Sequence, residues 1–152
     1  MGIADRDVHW MNLALEHART AASHDEIPVG AVLVASGKVL GQGYNAALAS
    51  ADCTAHAEIQ ALRAAGKATG NYRFPEATLY CTLEPCAMCL GALLHARVER
   101  LVYAAEDPRS GAAGSVVDLT DVPEFNHRLI VTSGVMAAEA AHLLRDYFRA
   151  KR

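Results

Sequence analysis

Apolar positions along the chain recur with a helical period in some stretches and as short runs in others. Met11, Ala14, Leu15, Ala18 and Ala22 fall on one helical face, so about residues 6–23 predict an amphipathic helix. Val29–Ala35 and Val39–Tyr44, joined by Ser36-Gly37-Lys38, predict a β-hairpin. Helical signals resume at Ala55, with Thr54 as the expected N-cap, and run to Ala65, where Gly66 is expected to end them. Thr78–Thr82 reads as a buried strand followed at once by a helix from Pro85 or Cys86 to about Ala96. Val98–Ala104 is another strand, and a glycine-bearing loop, Asp107–Ser115, follows it. Leu129–Thr132 predicts a last strand; Met136, Ala140, Leu143, Leu144 and Tyr147 then give one face of a C-terminal helix. Strands separated by helices predict an α/β sheet with parallel parts, covered on both faces and made mixed by the hairpin.

Composition narrows this to a single domain, residues 1–152, large enough to bury about two-thirds of its unfolded surface. Hydrophobic residues at 52% and charged residues at 20% argue for a packed globule over a disordered chain. Apolar runs fall far short of the roughly 20 residues of a membrane span. Asp5 and Asp7 stand where a signal peptide would be basic, so a soluble, cytoplasmic protein is expected. In that setting four cysteines suggest a metal before disulfides. The net charge of −3 is no general nucleic-acid signature. Charge is uneven, however: Arg145, Arg149, Lys151 and Arg152 stand against Asp146 at the C-terminus, either a patch for a short piece of RNA or a solvated helix end. Gly41-Gln42-Gly43-Tyr44-Asn45-Ala46 loosely matches a dinucleotide fingerprint, but it ends a strand and opens no helix.

Candidate chemistry lies in His56-Ala57-Glu58 and in Glu84-Pro85-Cys86-Ala87-Met88-Cys89. Together they form H-x-E followed by P-C-x-x-C, the signature of zinc deaminases acting on nucleobases. Cys86 and Cys89, three apart, share a helical face and can grip one ion with His56, leaving a tetrahedral position for water. Helix starts favour the negative charge of thiolates. On a regular helix Glu58 would point away from His56, so the pair is expected in a first turn, with Glu58 beside the water as proton shuttle. The same residues permit a closed structural site of Cys53, His56, Cys86 and Cys89, with Glu58 on the surface. Cys81, inside a strand, is expected to be a buried thiol.

Thr54–Glu58 and Thr82–Cys89 resemble the cytidine-deaminase-like superfamily. Ile27–Val32, Asn71-Tyr72-Arg73, Asp107–Ser115 and Asn126-His127-Arg128 narrow the resemblance to tRNA-specific adenosine deaminases of the bacterial TadA type. The resemblance implies a three-layer α/β/α sandwich with a five-stranded mixed sheet, working as a homodimer with one Zn2+ per subunit. It implies that His56, Cys86 and Cys89 bind zinc, that Glu58 shuttles protons, and that adenosine becomes inosine at the wobble position of a tRNA anticodon stem-loop. Asn45, the Ala57 N–H, Asp107, Arg109 and Asn126 are implied substrate contacts. Cys53 departs from the family pattern, which carries proline there. Deamination of a free base or nucleoside, such as cytosine, cytidine or guanine, and a non-catalytic structural-zinc RNA-binding module are the alternatives.

Overall fold

Alternation along five strands sorts their side chains onto two faces, and each face is covered by a pair of helices. In the computed structural model, which describes residues 2–151, the strands are β1 (Gly30–Ala35), β2 (Lys38–Tyr44), β3 (Thr78–Leu83), β4 (Arg100–Ala105) and β5 (Ile130–Thr132). Arg152, counted in the C-terminal basic patch, lies outside the described residues. On one face Ala31, Leu33, Leu79, Cys81, Leu101 and Tyr103 pack beneath α3 (Ala57–Thr69) and α4 (Ala87–His95). On the other, Val32, Val34, Tyr80, Val102 and Ala104 meet Met11, Ala14 and Leu15 of α1 (Ile3–Ser23) and Ala140 of α5 (Ala137–Ala150). The expected three-layer α/β/α architecture with a five-stranded mixed sheet is therefore present. Side chains such as Met11, Leu15, Leu33 and Leu101 are fully buried, each contributing roughly 1.5–3 kcal/mol.

The sheet order is β2-β1-β3-β4-β5, with β1 antiparallel to both β2 and β3, and β3, β4 and β5 parallel. Two antiparallel steps give β2 the direction of β3. The carboxyl ends of β2, β3 and β4 therefore gather at one end of the sheet, where β1 begins. Ligand sites of open α/β sheets form at such carboxyl ends.

Three local expectations are corrected. α3 starts at Ala57 with His56, not Thr54, at the N-cap position. Gly66 lies inside α3, and the helix ends at Gly70, whose φ of 72° is left-handed; a glycine weakens a helix, whereas a left-handed residue stops it. A short helix, α2 (Ala47–Ser50), was not foreseen because no apolar period marks it. Gly41 lies in β2 under α3, where a Cβ would collide with the backbone at Ala61 and Ala65. That close approach accounts for the glycine pattern that imitated a dinucleotide motif.

Asp7, in the second turn of α1, is also buried, only 3% exposed. It receives Arg100 through both guanidinium nitrogens at 2.8 and 2.6 Å, and the Tyr80 hydroxyl at 2.8 Å. Arg100 also donates to Thr132 Oγ1 at 2.9 Å, so one network ties α1 to β3, β4 and β5.

Candidate metal centre

The carboxyl ends of β2 and β3 each lead to a ligand at the start of a helix. After α2 the chain turns at Asp52, whose Oδ1 accepts from the Thr54 N–H at 2.9 Å and the Thr54 hydroxyl at 2.7 Å. It then reaches His56 in extended conformation, φ −75° and ψ 155°, at the N-cap of α3. Cys86 holds the equivalent place at α4, with φ −76° and ψ 176°, and Cys89 lies within the helix. Cys86 thus stands just outside the helix on which the spacing placed it, yet the extended backbone still brings the two sulfurs together.

His56 Nδ1 is 3.6 Å from Cys86 Sγ and 3.5 Å from Cys89 Sγ, and all three ligand atoms lie within 4.8 Å of one another. A tetrahedral zinc with bonds of about 2.3 Å to sulfur and about 2.0–2.1 Å to nitrogen demands a nitrogen–sulfur separation of about 3.6 Å. Both nitrogen–sulfur separations match such an ion. Its charge state fits as well. The Cys86 thiol is lowered to about 3, by the hydrogen bond from Cys89 and then by His56. Its bond to Cys86, then burial, raises the Cys89 thiol. His56 is raised by its bond to Cys86 against the opposing effect of burial. The two sulfurs are hydrogen-bonded to each other, and a divalent cation would displace the proton between them.

Glu58, the second residue of α3, is 4% exposed. Burial pushes its carboxyl above the usual range, although a backbone hydrogen bond and the charge of His56 oppose the shift. The first-turn placement expected for the His56–Glu58 pair is the one found. Cys53 is exposed and lies outside the converging group. With Cys53 outside that group and Glu58 buried, not on the surface, this fold does not assemble the closed four-ligand alternative. Cys81 is a buried thiol, as expected, with burial raising its pKa.

The expected substrate contacts are placed unequally. Asn45, directly after β2, accepts the Ala57 N–H on its Oδ1 at 2.8 Å. The Ala57 N–H is thus taken by Asn45 and not presented outward, whereas the Asn45 amide nitrogen has no protein partner among the described residues. Asp107 Oδ1 is occupied by the N–H groups of Arg109 and Ser110, at 3.0 and 3.2 Å, as in an ordinary turn. Asp107 and Arg109 both line a cleft of about 850 Å³ between their loop and α5, with Ile27, Arg145, Phe148 and Arg149. Asn126 is exposed and is not among the residues lining that cleft.

Two acids have a burial and a role that the sequence did not reveal, Glu26 and the Glu84 of the candidate motif. Glu26 accepts the Leu48 and Ala49 N–H groups at 3.0 and 2.7 Å, holding the start of α2 beyond Asn45. Glu84 is 2% exposed and binds the loop that follows β4. The available signal was a carboxylate beside apolar runs, Glu26 before Ile27-Pro28-Val29 and Glu84 after Thr78–Leu83.

A mixed sheet carrying a His-Cys-Cys group and a buried glutamate at its carboxyl end defines a class. Residues 4–105 match the cytidine and deoxycytidylate deaminase zinc-binding region, and the chain belongs to that family. Within the family, its similarity to tRNA-specific adenosine deaminases runs nearly end to end. The tRNA-specific adenosine deaminase of Agrobacterium fabrum is 47% identical over 144 residues, 95% of each chain. A solved structure from work on A-to-I editing by tRNA:A34 deaminases at the wobble position of transfer RNA superposes with a TM-score of 0.86 at 46% identity, covering 90% of this chain and 99% of that one. Guanine deaminase from Nitrosomonas europaea gives a TM-score of 0.76 at 28% identity, covering 92% of this chain and 83% of that one.

Proposed function

We propose that this protein is a tRNA-specific adenosine deaminase, converting the wobble adenosine of an anticodon, position 34, to inosine and ammonia with one zinc per subunit. The observation that carries the reading is the convergence of His56 Nδ1, Cys86 Sγ and Cys89 Sγ next to buried Glu58. Zinc held by these three residues supplies the electrophilic activation of a water molecule at neutral pH. Glu58 moves both protons of the water: it carries the first to the adjacent ring nitrogen, then takes the second from the newly added hydroxyl and gives it to the departing amine. Asn45 holds the floor of the site through Ala57 and offers its free amide nitrogen to the nucleotide.

The cleft between α5 and the loop after β4 suits the flanking RNA. The guanidinium groups of Arg109 and Arg145 have no protein partner among the described residues, and exposed Phe148 offers a stacking surface. Arg149 pairs with Asp146, and Lys151 with Asp25. Only part of the basic C-terminus is therefore free for phosphate. An anticodon loop presents an unstacked adenine at small cost, which a duplex does not. Ala87, Met88 and His95 leave one side of α4 exposed and largely apolar, which suits a homodimer. No helix among the described residues is long and apolar enough to cross a membrane, and the proposed substrate places the enzyme in the cytoplasm.

Incubation of the zinc-loaded protein and Glu58→Gln with an anticodon stem-loop tests the reading by inosine yield. Inosine at the wobble position, reduced by a factor of about 10² to 10⁴ in the variant with zinc retained, is the expected result. The structural likeness to guanine deaminase makes a free base the second reading, favoured if guanine, cytosine or cytidine is turned over and the RNA is not. One tightly held zinc without any turnover leaves a structural-zinc RNA-binding module.

A further inference from the structure

Glu84 directly follows β3, two residues before Cys86, and its side chain is almost fully buried. Every side-chain hydrogen bond it makes goes to one segment. Oε1 accepts the Asp107 N–H at 3.0 Å and the Ser115 hydroxyl; Oε2 accepts the Ala113 and Ser115 N–H groups at 2.9 and 3.1 Å. The first and last residues of the Asp107–Ser115 loop are thus fixed to a single carboxylate. Gly111, at the centre of the loop, lies so close that a Cβ would overlap the Glu84 carboxyl group. The Ala112 N–H donates to Pro85 O at 2.8 Å, which continues the attachment to the residue preceding the metal ligand.

The two carboxylate oxygens of Glu84 match the four N–H and O–H donors that the loop turns toward them. The loop it organises leaves β4 where Ala105 pairs with Leu83, beside the strand that delivers Cys86. Asp107, Arg109 and Ser110 form one wall of the cleft whose opposite wall is α5.

We infer that Glu84 is a positioning residue for substrate, its carboxylate setting the Asp107–Ser115 loop at the height where Arg109 meets the RNA beside the metal centre. The inference rests on the deaminase reading above for its substrate, but the pinning of the loop does not. Glu84 touches neither the reacting atoms nor the ion, so its loss acts on RNA binding before it acts on chemistry.

The test compares wild type with Glu84→Gln, Gly111→Ala and Ser115→Ala by zinc content, steady-state kinetics on the anticodon stem-loop, and amide hydrogen exchange. Glutamine presents an NH2 group where N–H donors converge, the Gly111 variant pushes the loop off from the other side, and the Ser115 variant removes a single donor. Zinc at the wild-type level, kcat nearly unchanged, KM raised about tenfold to hundredfold in the first two and less in the third, and faster exchange of the Ala113 and Ser115 amides are expected. Loss of zinc, or lowered kcat at unchanged KM, in Glu84→Gln and Ser115→Ala would overturn it by placing Glu84 with the metal or the chemistry. Faster exchange at unchanged KM would overturn it by detaching the loop from substrate. Should Glu84→Gln fail to fold, the other two variants decide the matter alone. A wild-type protein without activity on any stem-loop defeats the deaminase reading instead, and exchange then still reports whether Glu84 pins the loop.

Discussion

At the scale of single residues, the site separates ligands from bystanders by backbone position. His56 and Cys86 occupy equivalent N-cap positions, and Cys89 completes the triad from inside its helix. Cys53 lies on an exposed turn. Cys53→Ser is therefore expected to retain zinc as wild type does, whereas Cys86→Ser and Cys89→Ser lose it, measured as metal bound per chain after dialysis. Equal loss in all three would restore Cys53 as a fourth ligand. The motif spacing made the converging group of His56, Cys86 and Cys89 legible, because a candidate zinc site draws on a small set of residue types close in sequence. Glu84 and Glu26 were not legible in this way. All their partners but the Ser115 hydroxyl are backbone N–H groups more than twenty positions along the chain, and an N–H carries no residue identity.

At the scale of elements, the ends were read less well than the interiors. Apolar spacing located α1, β1, β3 and α4 because each buries one face or both. The end of α3 depends instead on which glycine takes a left-handed conformation, and φ is 72° at Gly70. Gly70→Ala is expected to destabilise the protein by about 1–2 kcal/mol, the cost of an L residue in that conformation. Gly66→Ala, inside the helix with only Asn71 O at 3.4 Å from the added Cβ, is expected to stabilise it by about 0.5–1 kcal/mol. Urea unfolding of the two variants checks the opposite signs; the same sign in both would place the end of α3 elsewhere.

At the scale of the whole molecule, the Asp7–Arg100–Tyr80 network joins α1 to the parallel half of the sheet and gives stability a pH dependence. Burial raises the Asp7 carboxyl, but hydrogen bonds from Arg100 and Tyr80 and the charge of Arg100 outweigh it, so the folded pKa is lowered. A lowered folded pKa stabilises fully above the unfolded value, about 3.9, and the contribution is lost as pH falls through the folded one. Asp7→Asn leaves Arg100 partly buried without its counter-charge and is expected to cost about 3 kcal/mol at pH 7. Thermal melts of both proteins from pH 7 to pH 2 should show the gap closing only below about pH 4. A gap independent of pH would mean that packing, and not the carboxylate, is what the substitution removes.

The sequence by itself determined the alternation that builds a covered sheet, the helices that cover it, and the H-x-E and P-C-x-x-C residues that can hold zinc and move protons. Those are local properties: period, turn chemistry and ligand type are written within a few residues of each other. Only the tertiary structure decided that β2 runs with β3, which brings His56 to within 3.6 Å of Cys86, thirty positions further along the chain. It alone decided that Asp7 and Glu84 are buried and charged, and that Asn45 and Ala57 satisfy each other. Strand order and long-range hydrogen bonds arise from packing the whole chain around one sheet, and no local pattern of side chains encodes them.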